Sequence, residues 1–542
     1  MNKARFLLIS IIGVTILQSC MKSSDFKFAS PVYNGEWAVP LVNSHITLND
    51  ILKNQDSTMQ TDQQGLVTLV YNIKNLSSQT ADQLMKIPDQ SLPVQNFSFP
   101  TTVSGIQVID LSAGKTFPIS FATDVPLTMA NATQKIESIY IKSGTIRIPI
   151  NSNFNKKTTF TLHAPNIIKK STGVEIAIPP MIITTAAPNS FVTIDISDCT
   201  LYLKTVNGTS NTLHFDINIA MEGNSSPTLP DYTFGMGIEI TNLLFGNMYG
   251  NLGNFTMDMG QTVDFSVFNT NLGAGFLFGP DAIKLNINVD NSFGLPIQLN
   301  ATTFTAHSDI NTPHDVAIKL FGPTTENIIN INASTALGQT RRTTVTSTNP
   351  NLSAAFNISP NKIVLAASAL TNPGSSSNLN FVSDKSALNL NMDIMLKLFA
   401  SINNFAFQDT LSFDLKDADK LESAAFRINT TNGFPLGVKM QIFFTDANYT
   451  VLDAMFTDPI PEMLKPAVAS GAPDYKTITP TTYQFPDITY NQARLTKIKN
   501  AKKIIIKAIL NTPNSGTDMI KIYDSYYIDT KIALRTKAKL QL

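Results

Sequence analysis

The chain has 542 residues, with 40 Lys and Arg against 40 Asp and Glu, and only 15% of it is charged. That balance gives no electrostatic footprint for nucleic acid, and no such partner is expected. Hydrophobic residues make up 43% and aromatic residues 9%, too many for a disordered chain, and the length suffices for about three or four domains.

The first twenty residues carry an address. Lys3 and Arg5 form a basic start, Phe6 to Leu17 an apolar stretch, and Leu17-Gln18-Ser19-Cys20 looks like a bacterial lipobox. A lipobox requires cysteine because its thiol takes a thioether-linked diacylglycerol. The apolar run is too short to span a bilayer comfortably. Residues 1–20 are therefore expected to be a lipoprotein signal peptide, with Cys20 lipidated and the body held by acyl chains. Met21 stands where Asp would suggest inner-membrane retention, so the outer membrane is the expected location. Periplasmic and cell-surface exposure both stay open.

Residues 21–60 read as a tether and a short helix. Thr47 and Asp50 are placed as a capping box, with Ile46 stapling onto Ile51 and with Leu48, Ile51 and Leu52 on one face. Trp37, the only tryptophan, is expected to pack this segment onto the body rather than stack on a sugar.

Beyond residue 60 the pattern has period two. Leu213, Phe215, Ile217, Ile219 and Met221 alternate with His214, Asp216, Asn218, Ala220 and Glu222. Ile283, Leu285, Ile287 and Val289 repeat the alternation, as do Val438, Met440, Ile442 and Phe444, and finally Ile532, Leu534, Ala538 and Leu540. This predicts strands with one buried face, joined by turns at the Gly, Asn and Pro clusters. Helical patterns are confined to short pieces near Leu84 and Met85 and at 461–468. The expected fold is all-β, as tandem antiparallel β-sandwich modules with a few short helices. Boundaries are expected near 60, 208 and 375. They give modules at 61–207, at 208–375 (rich in Phe and Gly) and at 376–542 (locally basic).

Segments 146–154, 285–297 and 426–438 share a weak repeat, with 201–208 as a looser fourth. Each runs strand, Asn, short turn, Phe, strand. The Asn is expected to end the strand by bonding its own backbone or by turning left-handed, and the Phe to fill the corner. The units Asn291-Ser292-Phe293-Gly294-Leu295-Pro296 and Asn432-Gly433-Phe434-Pro435-Leu436 resemble those of late-embryogenesis-abundant type-2 β-sandwiches. The lipobox, the opening from Trp37 to Val42, the Asn432 unit and the ending Lys521-Ile522-Tyr523-Asp524-Ser525-Tyr526-Tyr527 are together similar to outer-membrane lipoproteins of the Bacteroidota type. The resemblance implies architecture and location and brings no catalytic residues.

His307, Asp309, His314 and Asp315 are the best concentration of metal-ligating residue types. A solvated loop around Pro313 is the competing reading, and no metal or other cofactor is expected. His45, His163 and His214 are isolated. Asp414, Asp417, Asp419 and Glu422 are of the type that holds calcium, but their spacing and the interposed Lys416 and Lys420 favour a charged connector. With Cys20 lipidated, Cys199 has no disulfide partner and is expected to be a buried structural thiol. Gly273, Gly275 and Gly279 do not make a nucleotide loop, since Pro280 interrupts them and no helix follows.

Phosphate loops, nucleophile elbows and zinc-protease helices are absent from the sequence, so no enzyme is expected. Carboxylates meeting across space are the one route to an enzyme acting on envelope polysaccharide. From residue 491 on there are 11 Lys and Arg and 3 Asp and Glu, so 11 − 3 gives +8. Lys499, Lys502, Lys503 and Lys507, followed by Tyr523, Tyr526 and Tyr527, suit acidic polysaccharide or lipid headgroups; the alternative is lysines guarding a sheet edge. Phe234, Leu243, Leu244, Phe245, Phe255, Phe265, Phe268, Phe276 and Phe278 line either a core or the groove of a lipid carrier. The leading expectation is a lipid-anchored envelope protein of structural or binding type, presenting its modules to a protein or glycan partner. The oligomeric state stays open.

Overall fold

The structure, a computed structural model, describes residues 32–541 except 49, 51–57, 100–101, 104–105, 108–113, 155–156, 185–186, 205–207, 224–231, 265–274, 323–326, 348, 375–378 and 414–420. The expectations for Cys20, Ile51, Leu52, Phe265, Phe268, Gly273 and the 414–420 carboxylates fall outside these residues.

The fold is all-β, built from antiparallel sheets with a few short helices. The period-two pattern is the cause: Leu213, Phe215, Ile217, Ile219 and Met221 are all buried, as are Ile283, Leu285, Ile287 and Val289. The strands assemble into three sandwiches of one design. In the inner sandwich the eight strands in chain order are Gln90–Phe99, Thr116–Pro126, Lys135–Ser152, Thr158–His163, Met181–Ile183, Asn189–Asp195, Thr212–Glu222 and Tyr232–Asn251. Its first, eighth, third and sixth strands lie side by side in one sheet, and its second, seventh, fourth and fifth in the other. The same order recurs in the middle sandwich, whose strands run from Val67–Thr80 to Ala387–Lys397, and in the outer one, from Val32–Thr47 to Tyr527–Gln541. Eight antiparallel strands in this order make a jelly roll. The modules around the corner units are thus three jelly rolls.

The three are nested. The outer sandwich has its first strand at Val32–Thr47 and its second at Phe405–Ser412. Everything between them is inserted. The middle sandwich likewise has its first strand at Val67–Thr80 and its second at Thr256–Asp258 and Gln261–Asp264, with the whole inner sandwich between. The expected boundaries near 208 and 375 lie inside the inner and middle sandwiches, because strands on either side of them pair in one sheet. The expected tether overlaps the first outer strand, which pairs with the last strand of the chain from Val32↔Gln541 to Thr47↔Tyr527. The capping box is present, since the Thr47 N–H donates to Asp50 Oδ2 at 3.0 Å and the Asp50 N–H to Thr47 Oγ1 at 3.4 Å. Segment 461–468 forms the strand Glu462–Leu464 instead of a helix, and helices stand at Ala81–Leu84, Asn351–Asn357 and Gln492–Ile498.

The repeated corner is where the third strand of each sandwich crosses to the fourth, in the facing sheet. Asn291 Nδ2 donates to the Leu295 carbonyl (3.1 Å) and the Asn332 carbonyl (2.9 Å), and its Oδ1 accepts the Phe293 N–H (2.9 Å). Asn432 makes the same three bonds with Leu436, Lys465 and Phe434, at 2.8, 2.8 and 2.9 Å. Both side chains are buried, and neither residue has a positive φ. The side chain, not a left-handed backbone, turns the corner. In the inner sandwich Ser152 takes this part, accepting the Phe154 N–H at 3.1 Å.

The joints between sandwiches also repeat. Asn380–Ser383 pairs with residues 247–250 at the end of the inner sandwich, and Ile520–Lys521 pairs with residues 399–400 just past the end of the middle one. At the first joint the Thr371 hydroxyl accepts the Phe255 N–H at 3.0 Å; at the second the Thr512 hydroxyl accepts the Ile402 N–H at 3.3 Å. One continuous apolar core runs through the inner and middle sandwiches, while the outer one has its own around Ile428, Phe444 and Tyr490.

Candidate binding face

The inner sandwich differs from the others by an extended sheet. Short strands at Ile167–Lys169, Val174–Glu175, Cys199–Tyr202 and Asn380–Ser383 widen its first sheet to eight strands. Alternation sends every second side chain outward, and several of these are large and apolar. One row runs across four strands, because Tyr202 and Tyr249 both stand opposite Ser138, and Phe381 stands opposite Tyr249. Tyr202 is 51% exposed and Tyr249 42%. Two strand spacings put them about 9.5 Å apart. A second row holds Phe191, 58% exposed, opposite Pro149, with Val94 leaning over Gly237 beside it. From Ser138 to Pro149 the Lys135–Ser152 strand covers about 36 Å at about 3.3 Å per residue. Leu244, 63% exposed, stands between the rows where the register slips opposite Ser143.

Neighbouring groups on this face are closely packed. Tyr140 lies against the sheet over Gly246, where an added Cβ would come within 2.5 Å of the ring. The Tyr140 hydroxyl donates to Asp198 at 3.2 Å, and Lys170 Nζ sits 4.1 Å from the ring centre. Burial and the Asp198 carboxylate raise the Tyr140 phenol, so it stays protonated at neutral pH; bonding with Ser171 holds the Asp198 carboxyl low. The charged groups come in pairs: Arg147 with Glu239 at 3.0 Å, Lys204 with Glu137 at 2.6 Å, and Lys142 with Asp384. The Arg147 guanidinium also stands 4.6 Å from the centre of the Phe191 ring. The face is thus apolar in two rows, with hydroxyls, amides and paired ions beside them.

Of the four residues of metal-ligating type, His307, Asp309 and Asp315 meet in ion pairs and His314 bonds elsewhere. His307 Nδ1 meets Asp315 Oδ1 at 2.7 Å and Nε2 meets Asp309 Oδ1 at 3.0 Å, so both ring nitrogens face carboxylates. Both carboxylates raise the His307 pKa, Asp315 foremost, while Asn361, His307 and Lys362 lower that of Asp309. His314 Nδ1 bonds the Ser308 carbonyl at 2.8 Å. Among the described residues no group of three His, Cys, Asp or Glu is arranged to hold a metal ion. This cluster is an ion-paired loop, because the His307 ring nitrogens are taken by carboxylates rather than aimed at a shared point. Glu422 lies 3.6 Å from Lys537. Cys199 is buried in a strand, and burial raises its thiol pKa.

The C-terminal lysines do not guard an edge. Lys503–Asn511 and Tyr527–Gln541 are both interior strands, paired on both sides. Lys503 Nζ sits 3.7 Å from the Tyr449 ring centre, on the outward side of its sheet. Tyr523 and Tyr526 are buried at the joint of the outer sandwich, bonding the Asp474 carbonyl and the Thr477 N–H at 2.7 Å each.

The Phe-rich segment is divided among several places. Phe234 and Phe245 lie in the inner core, and Phe276 and Phe278 line a cavity of about 110 Å³ at the joint of the middle and outer sandwiches, with Leu398, Ile402, Phe405 and Ile520. Sites for drug-sized ligands span about 300–1,000 Å³, and this cavity is smaller.

No protein-family model matches the chain, and no curated protein matches it. Among solved structures the chain is similar to a candidate secreted protein of Parabacteroides distasonis, with 12% identity over 93% of this chain and 99% of that one, at a TM-score of 0.26. It is also similar to a Broad Bean Stain Virus chain, with 11% identity over 58% of this chain and 90% of that one, TM-score 0.17. A third is an archaeal virus protein with a triple jelly roll fold, at 10% identity over 86% and 95% of the two chains, TM-score 0.10. Similarity at this level carries no argument about function; the strand order defines the fold.

Proposed function

We propose that this is a non-enzymatic binding protein of the bacterial cell envelope, tethered to the outer membrane through lipid on Cys20. Its binding face is the outer surface of the eight-stranded sheet. The observation that carries the reading is the two exposed rows on one sheet face, the aromatic pair Tyr202 with Tyr249 and the apolar pair Phe191 with Val94. Aromatic residues in contiguous outward rows mark interaction surfaces, where scattered single ones do not. The anchor enters the outer sandwich at Val32, twelve residues after Cys20, a reach of at most about 43 Å. The binding face sits two joints further along the nest. This arrangement suits a protein that holds its partner away from the membrane.

Two measurements test this. Cys20→Ser should abolish fatty-acid labelling of the protein, and labelling that persists would remove the anchor. Tyrosine iodination mapped by mass spectrometry should modify Tyr202 and Tyr249 in the purified protein and leave them protected in intact cell envelopes. Equal modification in both preparations would show an unoccupied face and overturn the binding reading.

A further inference from the structure

We infer that the partner of this face is an uncharged polysaccharide laid along the Lys135–Ser152 strand, touching both aromatic rows. The inference rests on the binding face proposed above and adds the chemistry of its ligand. Three observations select it. Six charged groups along the track are closed into pairs, Arg147 with Glu239, Lys204 with Glu137 and Lys142 with Asp384, while Asp195 bonds Ser197. A charged polymer would have to displace these pairs, whereas an uncharged one leaves them intact. Between the rows, beside Leu244 and the ion pairs, stand groups with hydroxyl or amide polar ends, with Thr145 opposite Thr241 and Tyr140 opposite Asn247. Such groups exchange hydrogen bonds with ligand hydroxyls at little desolvation cost. Finally, the aromatic rings lie at the two ends of a track about 36 Å long, so a polymer can engage both at once.

Pyranose rings supply the complementary surface. Their axial C–H groups carry partial positive charge and stack on the negative face of an aromatic ring. Their hydroxyls point sideways, towards the Thr and Asn side chains of neighbouring strands. An extended peptide would instead seek an unpaired strand edge for its backbone hydrogen bonds, and the Lys135–Ser152 strand has neighbours on both sides.

Affinity electrophoresis tests the inference with the full chain lacking only residues 1–20. Native gels would contain glycogen, a soluble β-glucan or galactomannan as uncharged polymers, and alginate as an acidic one. The expected result is retardation by at least one uncharged polymer and none by alginate. Tyr249→Ala and Phe191→Ala should each weaken the retardation about tenfold, while Tyr449→Ala, an exposed tyrosine of the outer sandwich, should leave it unchanged. With fragments of the retarding polymer, Phe191→Ala should matter only once the fragment is long enough to span both rows. Retardation by alginate alone, by none of the polymers, or equally in all variants would overturn the glycan. In each of those cases tyrosine protection in cell envelopes would still report separately whether the face is occupied.

Discussion

Asn432 shows how much one side chain carries here. Its amide satisfies two carbonyls and one N–H at a corner sealed from water. Asn432→Ala strands these groups, each costing about 1–3 kcal/mol when buried without a partner. A loss of about 3 kcal/mol, read from urea unfolding of the outer sandwich, is expected, and Asn291→Ala should cost the middle sandwich a similar amount. A loss below about 0.5 kcal/mol would mean that water replaces the amide. His214 makes a pH-dependent contribution. Its bond to Asp124 at 2.6 Å is the main cause of a pKa raised above 6.5. A raised histidine stabilises fully below its unfolded pKa, and that contribution is lost as pH rises through the folded value. The stability gap between wild type and His214→Asn should therefore be wider at about pH 5.5 than at about pH 8.5, as denaturation midpoints at the two pH values would show. An unchanged gap would remove the ion pair from the balance. Asn432 was legible in the sequence because a strand, an Asn and a Phe recur at fixed offsets. His214 looked isolated there because Asp124 is ninety residues away.

Among the elements, the joints decide how the sandwiches hold together. Thr371 and Thr512 occupy the same place, each ending a seventh strand and each accepting an N–H from the chain leaving the sandwich inserted before it. Thr512→Val keeps the shape and deletes the acceptor, leaving the Ile402 N–H without its hydroxyl. Faster hydrogen exchange at Ile402 is expected, with a stability loss of about 1–2 kcal/mol, and Thr371→Val should do the same at Phe255. Exchange that stays slow would place the restraint in the short paired strands instead. The sequence places the boundary near 375 at the run that starts with Asn372, Pro373 and Gly374, because such a run reads as a break between modules. Thr371 instead pairs with Ile297 inside the middle sandwich. The lysines of the last two long strands were similarly legible as outward residues and not as interior strands, because alternation reports the face of a strand and not its neighbours.

The whole molecule is one jelly roll inserted into a second, which is inserted into a third. The inner sandwich is continuous, so residues 86–254 alone should fold and unfold cooperatively by circular dichroism. A fragment of residues 405–541 lacks the Val32–Thr47 strand, leaving the edge of Tyr527–Gln541 unpaired. It should aggregate, and a synthetic peptide of residues 32–47 should keep it soluble; a soluble, cooperative fragment without the peptide would show that the first strand is dispensable. What the sequence determined by itself is local: the period-two alternation that makes strands, the capping box at Thr47, and the Asn and Phe of the corners. Each depends on residues within a few positions of one another. The nesting, the shared order of eight strands, the pairing of the first strand with the last and the alignment of Tyr202 with Tyr249 were decided by the tertiary structure. Antiparallel pairing joins residues hundreds of positions apart, and alternation alone does not say which strand will be the neighbour.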